Sequence, residues 1–131
     1  MQAATENNAG EIGRGIIRDL MGDDYLERRA QNPNPFGSVM QEFADEVCFG
    51  RVWARDGLER KLRCVITVAM MVALNRMGAL RVHIEGALNN GCSEEEIKEI
   101  LLQTAVYCGV PAAVEAFKVA GEVLAARKSQ A

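Results

Sequence analysis

The chain holds a single imidazole, His83. It is the one side chain whose ordinary pKa, about 6.5, lets it exchange a proton near neutral pH. Leu80, Ile84, Ala87 and Leu88 around it repeat at helical spacing. On a wheel of about 100° per residue, His83 falls on the flank of that apolar stripe, and Gly86 leaves room beside it. A proton donor at a pocket wall suits this placement. So does a half-buried histidine bonded to a neighbouring helix.

Two guanidinium groups, Arg60 and Arg63, follow the stretch Asp56-Gly57-Leu58-Glu59. That stretch has the form of a capping box, with Asp56 and Glu59 as the reciprocal pair. Both arginines then stand in the first turns of a helix, where the positive end of the dipole favours an anion. A planar guanidinium fork grips a carboxylate in two places. Arg60 lies on the side of Cys64 and Thr67 and is the stronger candidate for that grip. Arg63 is four residues from Glu59, so a surface ion pair is its alternative. Trp53 is read as a pocket wall or a core ring, and Tyr107 as a hydroxyl donor or an ordinary helix-end tyrosine. Glu59 reads as a cap, and Arg81 and Glu85 as solvated or interface charges.

The four cysteines stand at positions 48, 64, 92 and 108, with no Cys-x-x-Cys pair and no zinc-ligand spacing. They read as small buried hydrophobes and reduced thiols. With one histidine and scattered cysteines, no protein-held metal is expected.

These residues must be positioned by helices. The polar stretch 1–11 is expected to be flexible, residues 12–127 to form one helical domain, and 128–131 a tail. Ile12, Ile16, Ile17, Leu20 and Met21 have helical spacing, and Gly22-Asp23 reads as a stop. A short helix is expected from Asp24 to Ala30. Asn32-Pro33-Asn34-Pro35 is a break, because proline pushes its predecessor out of the helical region. Val39, Met40, Phe43, Val47 and Trp53 suggest a helix over 37–53. The next helix, to about Asn75, is apolar almost all round from Cys64 to Leu74. Such a helix must be covered on all sides, by its own chain or by a second copy. Gly78 reads as a separator before the helix carrying His83, and Gly91 as its C-cap. Ser93 and Glu96 form a second capping box. The last helix opens at Val110-Pro111. No alternating run suggests a strand, so the fold class is all-α with six or seven helices.

Length and charge limit the partners. At 131 residues the chain is one domain in size. It carries 15 basic against 18 acidic residues, a formal net charge of −3, and a pI near 5.2. That balance argues against nucleic acid as a partner. The apolar run at 64–74 is too short for a bilayer, which needs roughly 20 residues. The N-terminal stretch has neither the charged nor the apolar region of a secretory signal. The expected location is cytoplasmic.

Several stretches also match a known pattern in order: Gly50-Arg51-Val52-Trp53-Ala54-Arg55 with Gly57-Leu58-Glu59-Arg60, then Leu80 to Gly91, then Glu95 to Ala113. With these the chain resembles the carboxymuconolactone decarboxylase family. Gly15, Arg18, Gly22-Asp23 and Phe43 resemble its 4-carboxymuconolactone decarboxylase branch. The resemblance implies an alkylhydroperoxidase D-like helical bundle and a homo-oligomer, a hexamer built as a trimer of dimers. Asp56 stands where the pattern has Pro, Gln103 where a His is common, and Ile17 where the branch often has Arg. The dithiol of the alkylhydroperoxidase D type would fall on Arg76 and Ala79, and its glutamate on Cys64, so a thiol peroxidase is the weaker alternative.

The activity implied is decarboxylation of 4-carboxymuconolactone to 3-oxoadipate enol-lactone in protocatechuate catabolism, by the β-ketoadipate pathway. Another small lactone or keto acid is the alternative substrate. The departing carboxyl sits vinylogous to the lactone carbonyl, so the substrate is its own electron sink and no cofactor is expected. The protein has to hold the remaining carboxylate, stabilise an oxyanion and deliver one proton. His83 is the expected proton donor. Arg60 and Arg63 are the expected carboxylate anchors, and Trp53 and Tyr107 the expected pocket residues.

Overall fold

A computed structural model describes residues 2–31 and 34–130, with side chains from Asn8 onward. Every regular element is helical, and no strand occurs among the described residues. Two compact units divide the chain, Met1–Glu59 and Arg60–Ala131.

The first unit holds α1 (Gln2–Met21), α2 (Asp23–Ala30), a 3-10 turn (Pro35–Gly37), α3 (Ser38–Phe43) and a π-helix (Ala44–Trp53). α1 starts well before the apolar spacing that begins at Ile12, so the polar stretch shares its helical conformation. Asn32 and Pro33 of the expected break lie outside the described residues. Pro35 opens the 3-10 turn, in keeping with its fixed φ.

The expected single helix over 37–53 is instead α3 running into the π-helix. The cause is a very close crossing between α1 and the π-helix. A Cβ on Gly13 would stand 1.8 Å from the Asp45 carbonyl oxygen, and one on Gly50 would stand 2.1 Å from that of Ala9. Only glycine permits this approach. Ile16, Ile17, Leu20 and Trp53 are buried in this unit, whereas Ile12 is exposed. Asp45 is buried on the π-helix, with Arg29 Nη2 2.7 Å from its Oδ1 and Arg14 Nη1 3.6 Å from its Oδ2.

The second unit is a pair of helical hairpins: α4 (Arg60–Ala73) with α5 (Met77–Asn89), and α6 (Glu94–Cys108) with α7 (Val110–Ser129). α4 packs against the other three helices, and α5 and α6 each pack on α7. The core is Val68, Val72, Leu80, Ile84, Ala87, Leu101 and Ala116, all without solvent exposure. The Asp56 capping box does not form, because Asp56-Gly57 takes a turn and the helix begins at Arg60. Asp-Gly is turn chemistry, and glycine is costly inside a helix.

Gly78 is not the separator either; it lies in the first turn of α5. The break falls at Asn75, whose φ is 57°, and Arg76 N donates to Met71 O at 2.8 Å. That is the 6→1 bond of a Schellman end, with asparagine in the left-handed position. α5 ends in the same way at Gly91, φ 105°, with Cys92 N donating to Ala87 O at 3.0 Å. Ser93 and Glu96 make their capping box in full, with Glu96 N to Ser93 Oγ at 3.0 Å and Ser93 N to Glu96 Oε1 at 2.9 Å.

Arg81 and Glu85 are tied to α7 rather than left to solvent. Arg81 pairs with Glu122, and Arg127 Nη1 lies 3.0 Å from Glu85 Oε2. Within its own unit, α4 is covered on one face only. Cys64, Val68 and Val72 are buried, while Leu62, Ile66, Met70 and Leu74 are exposed. No helix among the described residues is long and apolar enough to cross a membrane.

Candidate functional site

The α4–α5 hairpin sets the relation between His83 and the arginines. The connection at residues 74–76 makes the two helices antiparallel neighbours, and a Cβ on Gly91 would lie 3.7 Å from Lys61 Cδ. Residues whose numbers sum to about 150 are therefore level, which sets Thr67 level with His83. At about 1.5 Å per residue, Arg63 starts roughly 6 Å and Arg60 roughly 10 Å along the axis from that level.

Orientation follows from the other neighbours. α5 turns Arg81 and Glu85 toward α7, and His83 lies about 160° round from Glu85, on the opposite flank. α4 turns Val65 and Ala69 toward α6. Arg60, Arg63 and Thr67 lie on the flank of α4 away from α6. The hairpin thus brings His83, Thr67 and Arg63 to one side, with Arg60 a turn beyond. Along the hairpin axis, Arg63 starts nearer the level of His83 than Arg60 does.

Each group has a specific environment. His83 is half-buried, and burial lowers its pKa below the ordinary 6.5 because a charged ring loses hydration. The free protein therefore holds a neutral imidazole at neutral pH. Thr67 Oγ1 donates to Arg63 O at 2.8 Å, which leaves the hydroxyl oxygen to accept. The Nε atoms of Arg60 and Arg63 are shut off from solvent. Cys64 is buried behind Arg60, and its thiol is pushed up to about 11. Desolvation is the main cause, Cys92 adds to it, and the Arg60 guanidinium opposes it. Burial also raises the Cys92 thiol, so neither sulfur is a ready thiolate. No cluster of metal-ligating side chains occurs among the described residues.

Tyr107 is not on this flank of the second unit. Tyr107 is 82 % exposed and borders an open cleft of about 330 Å³ between α4 and α6, with Val65, Ala69, Ile100, Gln103, Thr104 and Cys108. That cleft is on the other side of α4 from the arginines. Trp53 belongs to the first unit, where it is buried with its ring 5.8 Å from that of Phe49.

Sequence reasoning did not single out Thr67, which becomes visible only once the hairpin register is known. It also missed the Arg14–Asp45–Arg29 cluster, whose one signal was an acid among the apolar residues Phe43 and Val47.

The all-helical architecture agrees with what comparison with known proteins shows. Residues 39–122 match the model of the carboxymuconolactone decarboxylase family. The chain belongs to that family. It is 39 % identical over 104 residues to the nitrosuccinic acid decarboxylase npaB of Metarhizium robertsii, covering 79 % of this chain and 73 % of that protein. It is 35 % identical over 111 residues to the 4-carboxymuconolactone decarboxylase of Acinetobacter baylyi, covering 85 % and 83 %.

Proposed function

We propose that this protein is a cofactor-independent decarboxylase of a small dicarboxylate that carries its own electron acceptor. The feature that most supports this is the half-buried His83 on α5, the helix paired in a hairpin with the α4 that carries Arg60, Arg63 and Thr67. The names of the two relatives support the class. In a carboxymuconolactone and in a nitrosuccinic acid, the carbon that loses CO2 can pass its electron pair to an acceptor, a lactone carbonyl through the ring double bond or a nitro group.

In the reaction, the bond between carbon and carboxylate breaks and CO2 leaves. Its electron pair moves into the acceptor, giving a dienolate from the lactone or a nitronate from the nitro compound. Arg63, with Arg60 behind it, holds the carboxylate that stays. The dianionic substrate raises the pKa of the nearby imidazole, so His83 takes up a proton when substrate binds. It donates that proton to the ring carbon α to the lactone carbonyl, or to the nitronate carbon, and is recharged from solvent.

4-Carboxymuconolactone is the substrate proposed first, which gives the enzyme a place in aromatic-compound catabolism. Nitrosuccinate is the second reading, favoured by the 39 % identity to the fungal relative. The working form is a homo-oligomer. A thiol peroxidase is disfavoured by the buried, unreactive Cys64 and Cys92.

Steady-state turnover of both substrates by wild type and His83→Gln tests the reading. Turnover of at least one by wild type, with kcat down about 10²- to 10⁴-fold in the variant, is expected. Equal activity of the two proteins would remove His83 from the chemistry.

A further inference from the structure

The first unit holds a cavity of its own, of about 220 Å³, in which His83, Arg60 and Arg63 have no part. Each helix that lines it brings a different chemistry. α1 supplies Arg14, whose guanidinium only donates. α3 supplies Ser38 and Glu42, which share a face by their i, i+4 spacing. Ser38 Oγ donates to Pro35 O at 2.9 Å, so its oxygen is left to accept, and an ionised Glu42 only accepts. α2 supplies Arg29 and the apolar pair Leu26 and Ala30, one turn apart. Gln41 Nε2 donates to Arg29 O at 2.8 Å and ties α3 to α2.

The charges here are unevenly matched. Asp45, on the π-helix, is only 6 % exposed. Arg29 Nη2 lies 2.7 Å from it and offsets its charge. Arg14 Nη1, at 3.6 Å, is beyond hydrogen-bond length. One positive group on α1 and one negative group on α3 therefore border the cavity without a close ion pair among the described residues. A buried acid between two arginines, carried on a π-helix beside a cavity, is a combination that gathers at functional sites. A lone anion there would meet Glu42, and a lone cation would meet Arg14. A molecule that carries both charges satisfies both.

We propose that this cavity binds a small zwitterion, an α-amino acid with an aliphatic side chain. Its carboxylate pairs with the Arg14 guanidinium. Its ammonium group donates to Glu42 and to Ser38 Oγ, and its side chain lies on Leu26 and Ala30. Asp45 is a positioning residue, which holds the two guanidinium groups at the cavity through their charge. The site lies in the first unit and its test reads binding, so it does not depend on the decarboxylase reading.

Isothermal titration calorimetry of the full chain gives that test, with three probes. L-leucine carries both charges, L-leucinamide lacks the carboxylate, and 4-methylpentanoate lacks the ammonium group. Wild type is expected to bind L-leucine with a Kd of about 1 mM or tighter. Each analogue should bind about tenfold or more weakly, the loss of one charge-assisted hydrogen bond. Arg14→Gln and Glu42→Gln change exposed side chains, so far-ultraviolet circular dichroism should be unchanged. Each should weaken L-leucine binding by the same factor. Weaker binding of L-leucine to wild type would overturn the proposal, as would an analogue or a folded variant whose loss falls short of that factor. The analogue series uses wild type alone and so decides the matter whatever the variants do.

Discussion

His83 is neutral in the free protein for a physical reason that fixes its pH behaviour. Burial lowers its folded pKa, so between that value and about 6.5 the unfolded chain binds a proton that the native chain does not. Acidification through that window must therefore destabilise the fold, and His83→Gln should remove this part of the pH dependence. Urea midpoints of both proteins at pH 7.5 and pH 5.5 check it. In catalysis the sign is carried by the imidazolium. On the proposed mechanism, kcat/KM falls as pH rises through the free-enzyme pKa of His83, below 6.5. The corresponding limb of kcat lies at higher pH, because bound dianion stabilises the charged ring. Coincident limbs would show that the substrate's charge does not reach His83. Among the anchors, Arg63→Met should raise KM more than Arg60→Met does, since along the hairpin axis Arg63 starts nearer the level of His83. Initial-rate kinetics on the two variants decide the order.

At the level of elements, the first unit depends on backbone contact and the second on side-chain interlock. Gly13 and Gly50 allow α1 and the π-helix to touch, so an added methyl group has nowhere to go. Gly13→Ala or Gly50→Ala should cost about 2–4 kcal/mol, beyond the ordinary range for overpacking because the obstacle is a carbonyl and not a side chain. Chemical denaturation measures it. Gly15→Ala meets nothing within 4 Å and serves as the control. The start of α6 rests on the Ser93–Glu96 box, whose Glu96 also pairs with Lys61 Nζ at 2.9 Å. Ser93→Ala should cost about 1 kcal/mol. The backbone bond from Ser93 is the largest of the causes that lower the Glu96 pKa, followed by Lys61. The benefit of the box is therefore present above the ordinary glutamate range and is lost as pH falls through the lowered value.

At the scale of the whole molecule, the two units each bury their own apolar residues, and the second also leaves an uncovered apolar helix face. If copies associate through that face, stability is linked to concentration by mass action. The thermal midpoint of wild type should then rise with protein concentration, and that of Ile66→Glu/Met70→Glu should not. Scanning calorimetry across a hundredfold range of concentration checks this.

The sequence by itself determined the helical class, the Ser93–Glu96 cap, the stop at Gly91 and the single imidazole on the flank of an apolar stripe. Those features depend on residues within one or two turns of each other, and short-range chemistry is legible in a linear pattern. The matched stretches carried the family for the same reason, as ordered local motifs. Tertiary structure decided what depends on neighbours distant in sequence. It moved the α4–α5 break from Gly78 to Asn75, converted residues 44–53 into a π-helix under contact from α1, and tied Arg81 and Glu85 to α7. It also set Tyr107 at the cleft between α4 and α6, because only the register of packed helices says which side chains share a level.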